Sequence, residues 1–113
     1  MFYSKDDSGY KRIGEGVKIK TLVYGKNTLL TEFRLKKGSK VPSHSHPHEQ
    51  TGYLISGQMR LNIGEASFDV GPGDSWCIPG NVEHYGETLN DSVAIEVFSP
   101  VREDYLPDGS TSE

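Results

Sequence analysis

Residues 17–35 read VKIKTLVYGKNTLLTEFRL, and this stretch decides the fold class. Val17, Ile19, Thr21 and Val23 alternate with Lys18, Lys20, Leu22 and Tyr24, the period-two pattern of a half-buried strand. Gly25-Lys26-Asn27 then turns the chain. From Thr28 to Leu35 the alternation resumes, with Leu29, Thr31, Phe33 and Leu35 on one face and Leu30, Glu32 and Arg34 on the other. The two runs predict a β-hairpin.

Working outward, similar short runs follow at Thr51–Ile55, Met59–Ile63, Ala66–Val70, Ser75–Ile78 and Ser92–Phe98. Ser56-Gly57-Gln58, Gly64-Glu65, Gly71-Pro72-Gly73-Asp74 and Asn90-Asp91 divide them and read as turns. No window of ten or more residues carries a helical period. Short strands with turn signals every eight to twelve residues predict an all-β sandwich or small antiparallel β-barrel. The 13 glycines and six prolines among 113 residues agree with many short elements and exclude a helical bundle. Hydrophobic residues make up only 34%, so the core is expected to be thin. The length fits one domain. Residues 1–16 are polar and form either an arm or an edge strand pairing with a partner chain, 17–106 form the barrel, and 107–113 a polar tail.

The formal net charge of −4 supplies no basic field for a phosphate backbone, so nucleic acid is excluded as a partner. No apolar run approaches 18 residues, which argues against a membrane-spanning helix. The opening MFYSKDDSGYKRI carries charges where a signal peptide needs an apolar stretch, and the single Cys77 has no internal partner. A cytoplasmic location is expected.

All four histidines fall in two places, His44, His46 and His48 together and His84 far downstream. On an extended chain residues i and i+2 point to the same side, so His44 and His46 present two imidazoles to one point. A third histidine from a distant strand closes a three-nitrogen metal site. Pro47 interrupts a regular strand at His48, for which a surface or supporting role is expected. The competing reading is a solvated polar loop.

In Ser92–Phe98, Val93, Ile95 and Val97 occupy one face and Ala94, Glu96 and Phe98 the other. A carboxylate on a strand ordinarily meets solvent. If the filled layer of the barrel takes the aliphatic row, Glu96 faces the cavity beside Phe98, where it is a candidate general acid or base. Arg102 offers the planar donor fork that grips a substrate carboxylate, against the commoner fate of a surface ion pair. Trp76 and Tyr53 are expected in the core or cavity wall. Cys77 is expected to be a small buried hydrophobe without nucleophilic function.

Gly38, His44, His46, Gln50 and Gly57 resemble the first cupin motif, G-x5-H-x-H-x3-E-x6-G, with Gln50 in the acidic position. Gly73, Pro79 and His84 match the second, G-x5-P-x-G-x2-H-x3-N, with Asn81 in the glycine position and Thr88 in the last. The resemblance implies a cupin barrel of the double-stranded β-helix or jelly-roll type. It also implies a divalent transition metal, Mn, Fe, Co, Ni or Zn, bound by His44, His46, Gln50 and His84. Glu49, one residue before Gln50, is the alternative acidic ligand, which strand parity disfavours. A site of neutral donors leaves the ion's charge to act on a carboxylate or hydroxyl ligand, which suits Lewis-acid chemistry.

The stretches HSHPHEQ, GYLISG, GPGDSWCIPGNVEH and IEVFSPVREDYL sharpen the resemblance to pectin-degradation cupins of the KdgF type. Such proteins convert ring-closed 4,5-unsaturated uronates into linear 4-deoxy-5-keto uronates. Their D-x-F-x3-R pattern implies catalytic roles for Glu96, Phe98 and Arg102, with Glu96 one methylene longer than the family's Asp. The partner implied is a small carboxylated sugar, and a homodimer is implied as well. Two other classes compete: a metal-dependent dioxygenase or isomerase on another small polar substrate, and a non-catalytic cupin that binds a small acid.

Overall fold

The computed structural model describes residues 1–106; the polar tail expected over 107–113 lies outside the described residues. Eight strands form one antiparallel sheet that folds over itself: β1 (Lys11–Gly14), β2 (Val17–Tyr24), β3 (Leu29–Leu35), β4 (Lys40–His44), β5 (Glu49–Ile63), β6 (Ala66–Val70), β7 (Ser75–Ile78) and β8 (His84–Ser99). The strand order is β1-β2-β3-β8-β5-β6, with β4 also paired to β8 and β7 to β5. Among the described residues helical structure is limited to a 3-10 turn at Glu103–Tyr105. The all-β barrel-like architecture is the one that the period-two runs predict.

The hairpin of β2 and β3 forms where expected, and Leu29, Thr31, Phe33 and Leu35 are all buried. A shift of register between Thr21 and Val23 gives β2 an extra residue, Leu22. Such a bulge reverses side-chain parity. Tyr24 rather than Val23 therefore packs against the core.

Two expected turns are not turns. Ser56-Gly57-Gln58 lies inside the 15-residue β5, and Asn90-Asp91 inside the 16-residue β8. Bulges at Ser56 and Gln58 bend β5 without ending it, so each long strand runs through both layers of the barrel. Gly57 has φ +96°, and a Cβ there would lie 2.1 Å from Ser92 Oγ, so only glycine lets the bend close against β8. The strand β4, which carries His44, has no alternating pattern in the sequence and is held by pairing with β8. Lys11–Gly14, within the segment expected as an arm or partner-pairing strand, pairs with β2 of its own chain.

The core gathers Val17, Ile19, Leu29, Phe33, Leu35, Leu54, Met59, Leu61, Val70, Ala94 and Phe98. Leu29, Leu54 and Phe98 have no exposed surface, and each such side chain stabilises the fold by about 1.5–3 kcal/mol. The aliphatic row Val93, Ile95 and Val97 does not fill the barrel. It is half-buried on the outer face, while Ala94, Glu96 and Phe98 point inward. Tyr53 and Cys77, expected in the interior, lie on the outer face as well. Strand parity turns Gly52, Leu54, Trp76 and Ile78 inward, which leaves Tyr53 half exposed and Cys77 at the surface.

Candidate metal centre and its cavity

His44 ends β4 and is the direct cross-strand partner of His84, the first residue of β8. His46 lies in the following loop, whose carbonyl accepts a 2.7 Å hydrogen bond from Asn81 N–H. Asn81 takes φ +66°, a left-handed conformation that asparagine tolerates better than most residues, which explains how it fills a glycine position. Gly80 packs so closely on Pro47 that a Cβ would fall 2.5 Å from its carbonyl oxygen. At the opposite ends of the two motifs, Thr88 is buried, exchanges backbone bonds with Gly38 and Ser39, and accepts Ser39 Oγ at 2.9 Å. Both histidine loops are thus joined by direct contacts.

Nitrogens of His44, His46 and His84 lie within 4.8 Å of one another. Each ring has Nδ1 against a backbone carbonyl two residues away: His44 on Pro42 at 2.8 Å, His46 on His48 at 3.0 Å and His84 on Val82 at 3.0 Å. A carbonyl only accepts, so Nδ1 carries the proton in all three and a neutral ring presents the Nε2 lone pair. Burial pushes His46 and His84 below the ordinary imidazole value, with the Arg102 charge acting in the same direction, so both rings are held neutral. His84 Nε2 is buried with no hydrogen-bond partner among the described residues.

Gln50, buried on β5, places an amide beside these rings. Its Nε2 donates to Glu96 Oε1, which turns its Oε1 toward His46 Nε2 at 3.0 Å. Two acceptor lone pairs therefore face each other. A cation resolves this conflict, because protonating the buried His46 instead runs against its desolvation. The orphaned His84 nitrogen and the opposed His46–Gln50 acceptors are what a divalent ion with nitrogen and oxygen donors requires, and the set suits Mn, Fe, Co, Ni or Zn alike. His48 stands outside the three-nitrogen group, and Glu49 is exposed with its carboxylate on the other face of β5 from Gln50.

Glu96 lies beyond Gln50 on the inner face of β8 and is 8% exposed. Its Oε1 accepts from Gln50 Nε2 and from Trp76 Nε1 at 3.1 Å. Burial raises its pKa above the ordinary carboxylate value, against the opposing pull of these two bonds and of the Arg102 charge. Arg102 is 15% exposed, lies 4.1 Å from the Tyr105 ring and 5.3 Å from Phe98, and binds Asp104 through Nε at 3.0 Å. Phe98 has its ring edge-on to His46 at 5.9 Å.

His44, Gln50, His84, Glu96, Phe98 and Arg102 line a single cavity of about 460 Å³. The sequence reading did not single out Tyr105 as part of its wall. Burial pushes the Tyr105 phenol up to about 12, so it stays neutral, and it packs edge-on against Phe33 and Phe98. Its position three residues after Arg102 is the available signal, and the hydrogen bond from Thr21 Oγ1 to its carbonyl ties the turn to β2.

The cupin domain family matches residues 31–99. The pectin degradation protein KdgF of Dickeya dadantii is 26% identical over 107 residues, which covers 93% of this chain and 97% of that protein. The solved structure of KdgF from a Halomonas species superposes with a TM-score of 0.88 at 25% identity, covering 94% of this chain and all of that one. An RmlC-like cupin from Shewanella frigidimarina superposes equally well, with a TM-score of 0.88 at 27% identity over 93% of this chain and 95% of that one.

Proposed function

Because the chain belongs to the cupin domain family, we propose that it is a metal-dependent enzyme of pectin degradation that linearises 4,5-unsaturated uronates to 4-deoxy-5-keto uronates. The observation that carries this reading is that Glu96 and Arg102 line the same cavity as His44, His84 and Gln50. The KdgF relatives, similar over nearly the full length, supply the substrate class.

His44, His46, His84 and Gln50 would hold a divalent ion, which would supply Lewis-acid polarisation of a carboxylate or hydroxyl ligand. The remaining work falls to this chain's own side chains. Linearisation is an isomerisation: the C1 hydroxyl loses its proton, the bond from C1 to the ring oxygen breaks, and the C5 enol becomes a ketone as C4 gains a proton. One proton leaves and one arrives, so a single group able to hold it suffices. Glu96, with a raised affinity for a proton, takes that role. Arg102 has Nε committed to Asp104, and its terminal nitrogens hold the substrate carboxylate bidentately. Phe98 walls the cavity between His46 and Arg102.

Purified protein loaded with metal is expected to accelerate the loss of the absorbing double bond of unsaturated galacturonate. No acceleration over buffer, with the metal content confirmed, rejects the reading. Oxygen consumption with iron loaded would point instead to a dioxygenase. The homodimer is part of the same proposal, and Tyr53 and Ile55, each about half exposed on the outer face, leave apolar surface for a second copy. Light scattering at several concentrations checks it, and a monomer throughout rejects it.

A further inference from the structure

Gly52 and Trp76 belong to none of the roles above, yet they meet at the candidate acid. Gly52 sits in β5 directly between two neighbours, paired with Trp76 of β7 on one side and with Glu96 of β8 on the other. The Trp76 side chain crosses the central strand at Gly52, and its Nε1–H reaches Glu96 Oε1 at 3.1 Å. A Cβ on Gly52 would fall 2.2 Å from Trp76 Cε2 and 2.3 Å from Nε1, inside the indole itself. The missing side chain of Gly52 is therefore the seat of the ring, and Gly52 has no left-handed φ that would otherwise demand glycine.

We propose that Gly52 and Trp76 form a positioning pair that fixes the Glu96 carboxylate on the cavity wall. Two donors, Gln50 from the metal side and Trp76 from the opposite strand, converge on the one oxygen Oε1. Two bonds from different directions fix the carboxylate on the cavity wall. The indole is rigid, with two side-chain torsions, and its only polar atom is a donor, so it holds an acceptor without competing for the proton. Phe or Leu at position 76 would fill the wall equally well but leave the carboxylate anchored at a single point. The kinetic consequence rests on the uronate reading; the contact itself does not.

The protein's single tryptophan makes the contact directly observable. In the metal-loaded protein the lone indole N–H resonance is expected to lie downfield and exchange slowly with solvent, and to lose both properties in Glu96→Ala and in Gly52→Ala. A resonance unmoved in both overturns the proposal. In kinetics, Trp76→Phe is expected to lower kcat by about 10- to 100-fold with KM and metal affinity little changed, the range for groups that orient a reacting residue. Gly52→Ala is expected to cost a similar factor in the native background and nothing further in Trp76→Ala, because the space is then empty. Trp76→Phe is expected to have no effect in a Glu96→Gln background. Equal losses in the presence and absence of Glu96, or a loss confined to KM, overturn the positioning role. If the wild-type protein does not turn over the uronate, the functional reading falls, while the indole resonance still decides the contact.

Discussion

The cavity has two ends that are held in opposite ways. At the imidazole end, each Nδ1 is fixed by a carbonyl only two residues away in the chain, at Pro42, His48 and Val82. At the carboxylate end, Glu96 is held by Gln50 and Trp76, which lie 46 and 20 residues away. Ring tautomers at the first end follow from local backbone geometry and survive changes elsewhere in the barrel. Orientation at the second depends on the pairing of β7, β5 and β8 in one register. Gln50 belongs to both ends, with its oxygen on His46 and its nitrogen on Glu96.

The largest expected effect separates the two ends. Glu96→Gln keeps an oxygen for Gln50 and Trp76 but cannot carry the proton, so kcat falls by about 100- to 10,000-fold, the range for loss of a general acid or base. Metal content measured on the same protein stays near that of the wild type, because no nitrogen donor has been touched. Comparable loss of metal would show that the two ends are one unit.

The converse change is next. His84→Ala removes the candidate ligand whose buried Nε2 has no hydrogen-bond partner among the described residues. Titration calorimetry is expected to show metal affinity reduced by at least about 100-fold, beyond the usual cost of losing an outer partner. The metal-free protein is expected to unfold at nearly the same denaturant concentration as the wild type, since an unpartnered buried nitrogen has been removed.

Gln50→Glu tests the residue the two ends share. It exchanges the donor to Glu96 for a second carboxylate, and the metal-free protein is expected to lose about 1–3 kcal/mol, the cost of an unmet buried polar group. Added divalent ion should recover most of that loss, because the new carboxylate also faces His46. Denaturant unfolding with and without chelator checks both halves of the prediction.

The smallest effect lies outside the cavity and serves as a control. Tyr10, in the N-terminal segment, donates to Glu32 of β3 at 2.5 Å while Arg34 stacks on its ring at 4.2 Å. Burial alone would raise the Glu32 carboxyl, but hydrogen bonds from Tyr10 and Arg34 and the charges of Arg34 and Lys20 outweigh it and hold the group below its ordinary value. A lowered folded value gives stability that is present above the unfolded pKa and is lost as pH falls through the folded one. Tyr10→Phe is expected to cost about 1 kcal/mol at neutral pH. The difference between the two proteins should shrink in acid as Glu32 protonates, as read by unfolding at several pH values.

Much of the imidazole end was legible in the sequence because its information is local. Two histidines at i and i+2, and fixed spacings to Gln50, Gly57 and His84, are visible without knowing where any strand lies. The alternation that predicts β2 and β3 is likewise a property of neighbouring residues. Tyr53 and Cys77 went the other way because an apolar residue on a strand has two faces open to it, and composition does not say which one is inside. The same ambiguity affected Val93, Ile95 and Val97. Their row reads as the filled layer, yet the inner row contains a carboxylate that the barrel can bury only because two donors meet it there.

By itself the sequence determined an all-β chain, a hairpin at its start and a cluster of imidazoles poised for a metal, since each depends on residues a few positions apart. Tertiary structure alone decided that Glu96 is buried, that Trp76 reaches across Gly52 to hold it, and that Tyr105 closes the wall beside Arg102. The contacts of Glu96 and Trp76 join strands distant along the chain, and a register shift of one residue would turn both side chains to the opposite face, while Tyr105 sits in a turn that the hydrogen bond from Thr21 ties to β2.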